Sequence, residues 1–184
     1  MANGRNNKLT GQIGEFLVCA ELGKRGLIAT PFAGNVPAFD VLAADAYCRT
    51  VPIQVKASTG DNWPADARDW MNIELDEKTK QQEFSGPKVL VNADLIYVCV
   101  ALAPPNSTAR DRFFVLRKRD VQDAIIGSYS AWMDKRDWIR PRNPASFDSR
   151  YFLPNIEKFE NNWRLIEEQL QAFGSASSLS STQE

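Results

Sequence analysis

At 184 residues, 43% of them hydrophobic, with a net charge of −1, the chain has the size and composition of one ordinary globular domain, expected over residues 1–173 with a disordered polar tail at 174–184. It contains no histidine, which excludes Ser-His-Asp and Cys-His catalysis, histidine acid–base work and histidine-ligated zinc. No apolar run is long enough to span a bilayer and MANGRNNKLTGQ lacks the apolar segment of a signal peptide, so a cytoplasmic protein with no membrane attachment is expected.

The segment KLTGQIGEFLVCAELGKRG predicts a helix with Thr10 as N-cap and Gly26 as its stop. Ile13, Phe16, Leu17 and Ala20 follow the i, i+3, i+4, i+7 spacing of a buried face. The same spacing started at Glu15 picks out Val18, Cys19 and Leu22, so a carboxylate heads a second apolar stripe. Near a first turn a carboxylate suits the helix dipole with no further role, whereas a half-buried one needs a metal or a lysine as partner.

Three apolar or alternating runs follow, at 27–32, 38–45 and 50–57, broken by turn-forming stretches; they predict consecutive strands of an antiparallel meander. In VPIQVKA, the period of two puts Val51, Ile53, Val55 and Ala57 on one face and Gln54 with Lys56 on the other. Solvent on one face of an antiparallel strand would explain Gln54 and Lys56 equally well. Residues 58–71 are loop-like, and Asp61, Asp66 and Asp69 within them read as solvated charges. The acidic, amide-rich segment that continues to about residue 88 has no clear period.

DLIYVCVALA predicts a central strand buried on both faces, RFFVLRKRD a further strand, and DVQDAIIGSYSAWMDK a helix. Ile156, Phe159, Trp163, Ile166 and Leu170 predict an amphipathic C-terminal helix over NIEKFENNWRLIEEQLQAF. Cys19 and Cys99 lie in apolar runs and read as buried thiols, and the absence of any CxxC argues against a cysteine zinc site. Residues 104–142 carry nine Lys/Arg against five Asp/Glu, while 61–103 carry four against eight, an imbalance that would let a polyanion lie on one face. Within the basic stretch, Trp132 and Trp138 interleave with Lys135, Arg136, Arg140 and Arg142, a nucleic-acid-binding pattern or equally an aromatic cap on the core under a solvated basic face.

With histidine excluded, hydrolysis would have to run on carboxylates, lysine and a hard metal. A hairpin pairing the strands at 38–45 and 50–57 would bring Asp40 beside Gln54 and Lys56, and a helix packed on that sheet could aim Glu15 at the same spot. In GEFLVCAELGKRG, PAFDVLA and IQVKAS, over roughly residues 9–60, the chain resembles the PD-(D/E)XK nuclease superfamily. Pro37 is separated from Asp40 by Ala38 and Phe39, where the family usually has proline directly before the aspartate. Gln54 stands where the family usually has Asp or Glu, a replacement that some of its branches share.

The resemblance implies an α/β fold with a restriction-endonuclease-like core, a central mixed sheet flanked by helices. It implies a Mg²⁺-dependent DNA endonuclease, with Mn²⁺ as substitute, acting as a homodimer if both strands are cut. Asp40, the Gln54 side-chain oxygen, the Val55 carbonyl and Glu15 would be the metal ligands, and Lys56 would stabilise charge on the phosphate; Glu15, Asp40, Gln54 and Lys56 are the catalytic set. A nucleic-acid-binding or interaction module that kept this fold without activity is the alternative. PFAGNVP would be a loop entering a groove beside Asp40 or a plain hairpin turn.

Overall fold

The structure is a computed structural model that describes residues 4–32 and 38–179. In chain order the elements are α1 (Gly4–Lys24), β1 (Ile28–Pro31), β2 (Val41–Ala44), β3 (Thr50–Ser58), β4 (Asn62–Asp66), β5 (Met71–Leu75), β6 (Gln82–Pro87), β7 (Ile96–Ala101), β8 (Arg112–Arg117), α2 (Lys118–Met133), β9 (Asp148–Phe152), α3 (Leu153–Ile156) and α4 (Arg164–Leu179). They form two compact units, one of residues 1–60, 95–116 and 159–184, the other of 61–94 and 117–158.

The first unit is α/β, a mixed five-stranded sheet in the order β1-β2-β3-β7-β8 flanked by α1 and α4. The strands β1, β2 and β3 make the expected antiparallel meander, and β7 then runs parallel to β3, with Gln54 opposite Tyr97 and Lys56 opposite Cys99. As its continuous apolar sequence requires, every residue of β7 is buried. Val51, Ile53 and Val55 of β3 join Ile96, Val98 and Val100 in one core, closed by Val18 and Leu22 of α1 and by Leu165, Ile166 and Leu170 of α4.

Helix α1 packs through a different face from the one its Ile13 spacing suggests. Val18 and Leu22 are fully buried, whereas Ile13 is 40% and Phe16 55% exposed. The stripe headed by Glu15 therefore wins. The reason is Gly14, which lies so close to β3 that a Cβ there would stand 2.5 Å from the Ala57 Cβ and 3.4 Å from Val55 Cγ1. A helix approaches a sheet most closely along its smallest side chain. Thr10 lies inside the helix rather than capping it. The end is as expected: Gly26 takes φ 80°, the Leu27 N–H donates to the Leu22 carbonyl at 3.1 Å and the Gly26 N–H to that of Gly23 at 3.0 Å, a Schellman motif.

The C-terminal helix is not continuous. Asn161 has φ 54°, its N–H donates to the Phe113 carbonyl at 2.8 Å, and Glu160 forms an isolated antiparallel bridge with Phe114. These backbone bonds interrupt the periodic run, and α4 begins only at Arg164 and extends to Leu179; residues 180–184 lie outside those described.

In the second unit, β4 pairs with β9 and β5 with β6, all antiparallel. The loop-like segment from residue 58 thus contains β4, whose Trp63 stacks on Tyr151 of β9 at 5.5 Å between ring centroids. Buried Gln82 is saturated: its amide donates to the carbonyls of Pro144 at 2.7 Å and Ser146 at 2.9 Å, and its oxygen accepts from the Tyr129 hydroxyl at 2.5 Å. Among the described residues, no helix is long and apolar enough to cross a membrane.

Candidate active site

Asp40 immediately precedes β2, and its backbone is held from both sides. Its carbonyl accepts from the Phe32 N–H at 2.9 Å and its own N–H donates to the Ile53 carbonyl at 2.9 Å. The rings of Phe32 and Phe39 meet edge to face at 5.2 Å, closing the stem of the connection between β1 and β2. Residues 33–37 of that connection, which include most of the PFAGNVP segment, lie outside those described.

The Asp40 side chain turns onto β3. Its Oδ2 accepts the Val55 N–H at 2.8 Å and a second hydrogen bond from Gln54 Nε2. An N–H and a C=O of the same strand residue leave the strand on one side, so the Val55 carbonyl is directed toward the side on which Asp40 lies. Among the described residues Asp40 Oδ1 accepts no hydrogen bond. Gln54, having used its nitrogen on Asp40, keeps its amide oxygen as an acceptor. Lys56 follows on the same face of β3 and is exposed.

Glu15 joins this group from α1. Its pKa is raised from the ordinary 4.5, first by burial and then by the negative charge of Asp40. The charge of Glu15 in turn adds to burial in raising the Cys19 thiol. Asp40, Gln54 and Val55 are thereby joined by hydrogen bonds from the start of one strand to the middle of the next, and Glu15 of α1 feels the Asp40 charge.

Tyr97 belongs to this neighbourhood and is missed by the sequence. The parallel register sets it beside Gln54, and it is only 7% exposed. Burial, then Cys99, then Asp40 push its hydroxyl up to about 12, so it stays protonated at neutral pH. Its signal is a tyrosine inside an apolar run, but the register that puts it opposite Gln54 is not written in either segment alone. Gly14 is the other omission. It stands one residue before Glu15 and sets how near the helix comes to β3.

The basic residues 135–142 belong to the second unit. Arg136 lies over the Trp132 ring at 4.1 Å, and Arg140 at 5.2 Å from the same ring, while Lys135 and Arg142 are exposed. Trp138 stacks on Phe84 at 5.8 Å, as a core cap would. Asp66 is engaged by Arg68 at 2.7 Å, in keeping with a local surface pair. Cys99 is buried, Cys19 half-buried and Cys48 exposed.

No family model and no curated protein matches the chain. Among solved structures it is similar to a bacterial homing endonuclease. The two share 15% identity and a TM-score of 0.46, over 90% of this chain and 95% of that one.

Proposed function

We propose that the chain is a metal-dependent DNA endonuclease of the PD-(D/E)XK type, with residues 1–173 as its nuclease domain and Glu15, Asp40, Gln54 and Lys56 as its catalytic residues. The observation that carries this reading is the Asp40 carboxylate, bonded to both the Gln54 amide and the Val55 N–H, with Glu15 electrostatically coupled to it. An isolated polar strand face would not need the carboxylate of another segment bonded to both its amide and its backbone.

The donor set fits a hard cation. Asp40 Oδ1, the Gln54 amide oxygen, the Val55 carbonyl and Glu15 offer only oxygen, and the Glu15 carboxyl, pushed up by burial and by the Asp40 charge, is one that a cation would relieve. Bound Mg²⁺, or Mn²⁺ in its place, would supply Lewis acidity and a more acidic water. Asp40 would anchor the site, since one of its oxygens is fixed to β3 while the other is unencumbered. Lys56 would place a positive charge against the phosphate as its negative charge grows. Lys135, Arg136, Arg140 and Arg142 would contact the DNA backbone.

Purified protein incubated with supercoiled plasmid should nick or linearise it with Mg²⁺ or Mn²⁺ and not with EDTA. The Lys56→Ala variant should lose at least about a hundredfold in rate, as expected for removing a charge-stabilising group. Cleavage that persists undiminished in Lys56→Ala would reject this assignment. A second reading, a silent nucleic-acid-binding module, is favoured by Gln54 in place of a carboxylate. It predicts DNA binding without cleavage in any metal.

A further inference from the structure

The second unit contains a cavity of about 340 Å³ lined by Ser128, Tyr129, Trp132, Arg140, Asp148, Ser149, Arg150 and Phe152, which β9 and α2 largely build. Its walls combine three aromatic rings with two guanidinium groups. In β9 the exposed positions are Asp148, Arg150 and Phe152, while Ser149 and Tyr151 alternate inward.

Arg140 is fixed but not used up. Its Nη1 donates to the Asp148 carbonyl at 2.7 Å and reaches the Tyr129 hydroxyl at 3.3 Å, and that hydroxyl is itself tied to buried Gln82. Arg150 donates from Nη1 to Asn62 Oδ1 at 2.8 Å. Among the described residues neither guanidinium pairs with a carboxylate, and each keeps its Nε and Nη2 donors without a partner. The Ser149 hydroxyl is also without a partner although the residue is only 6% exposed. Polar groups kept dry and unpaired are costly, and two forked cations beside one cavity suit a phosphate.

Three features choose among anions. The Phe152 ring, 46% exposed, offers flat apolar surface that an inorganic anion would not use, and the Trp132 ring, 36% exposed, adds what Arg136 at 4.1 Å and Arg140 at 5.2 Å from it leave uncovered. Asp148 also belongs to the lining, and although its Oδ2 accepts from the Ser146 hydroxyl at 2.9 Å its charge disfavours a bare polyphosphate and suits an exocyclic amine. The volume sits at the low end of ligand cavities, about 300–1,000 Å³, which admits a single nucleotide rather than a run of them.

We propose that this cavity binds one unpaired nucleotide of a DNA strand, its base against Trp132 and Phe152 and its phosphate on Arg140 and Arg150. The choice of a DNA strand rests on the proposed function, while the site itself is built by the second unit alone. It accounts for Arg150 and Phe152, which the basic stretch at 135–142 does not include.

The test is fluorescence anisotropy with the full chain in EDTA, where cleavage cannot interfere, using a short labelled deoxycytidine strand, an abasic strand of equal length, and free dCMP as competitor. The wild type should hold the deoxycytidine strand about tenfold or more tighter than the abasic one, the scale of one base stacked on an aromatic ring. Trp132→Ala and, separately, Phe152→Ala should each remove most of that difference. Arg150→Ala should weaken both strands alike. Equal binding of the two strands by wild type, or a base preference that survives in both aromatic variants, overturns the proposal. Competition by free dCMP as strong as by the strand also overturns it, in favour of a mononucleotide site. Because no metal is present, failure here leaves the plasmid assay untouched, and loss of cleavage there leaves this result untouched.

Discussion

Burial and the Asp40 charge together raise the Glu15 pKa above its ordinary 4.5, so folding favours the neutral carboxyl at this position. The sign of the resulting pH dependence is fixed. Below the ordinary value Glu15 is neutral in both states and costs nothing; as pH rises through 4.5 and then through the raised folded value, the metal-free protein loses stability, and the loss is complete at neutral pH. Glu15→Gln should therefore raise the metal-free melting temperature at pH 7, by up to about 2 °C for a partly solvated group, with the gain fading as pH falls below the carboxyl range. Removing the Asp40 side chain should change stability in the opposite direction. Its carboxylate satisfies the Val55 N–H at 2.8 Å, so Asp40→Ala strands a strand-interior donor and should destabilise by about 1–3 kcal/mol. Paired melting curves of the two variants check both signs, and a stabilising Asp40→Ala would mean that charge relief outweighs the lost bonds.

Helix α1 reaches this position because of a missing side chain. With a Cβ at residue 14 only 2.5 Å from the Ala57 Cβ, Gly14→Ala must push α1 off β3 and carry Glu15 away from Asp40. The variant should lose about 1–3 kcal/mol of stability by overpacking. Adding Ala57→Gly removes the opposing methyl and should restore much of the stability, together with any metal-dependent activity, in a double-mutant cycle. Equal losses with no coupling would show that the helix tolerates the extra methyl elsewhere. The same contact explains what the sequence could and could not reveal. The β1–β3 meander and buried β7 are legible because period two and an unbroken apolar run are local signals. The packing face of α1 is not: Ile13, Phe16 and Leu17 outweigh the Gly14–Glu15–Val18 stripe in hydrophobicity, and only the close approach at Ala57 decides. Trp163, Ile166 and Leu170 are periodic with Ile156 and Phe159, yet the Phe114–Glu160 bridge breaks the helix between them, a non-local bond that no spacing encodes.

At the scale of the whole chain, the first unit's sheet is interrupted in sequence by the second unit, whose segments enter after β3 and again after β8. Asp40, Gln54 and Val55 all precede the first interruption, and Glu15 lies on the first helix, so the polar cluster was legible in the N-terminal third of the sequence, while Tyr97 returns to it only after residues 61–94. A cluster built in this way would link any cation binding to the stability of the entire first unit. If Mn²⁺ binds the folded form alone, a concentration about a hundred times its dissociation constant adds about 2.7 kcal/mol, which for a chain of this size corresponds to a melting-temperature rise of roughly 5–10 °C. That rise should shrink sharply in Asp40→Asn, which keeps a side chain able to accept from Val55 but removes the charge. It should shrink less in Gln54→Ala, which removes a neutral ligand. The order of the two losses is the informative quantity. A larger loss in Gln54→Ala would make the amide, not the carboxylate, the dominant ligand, and no shift with metal in the wild type would count against the proposed metal site.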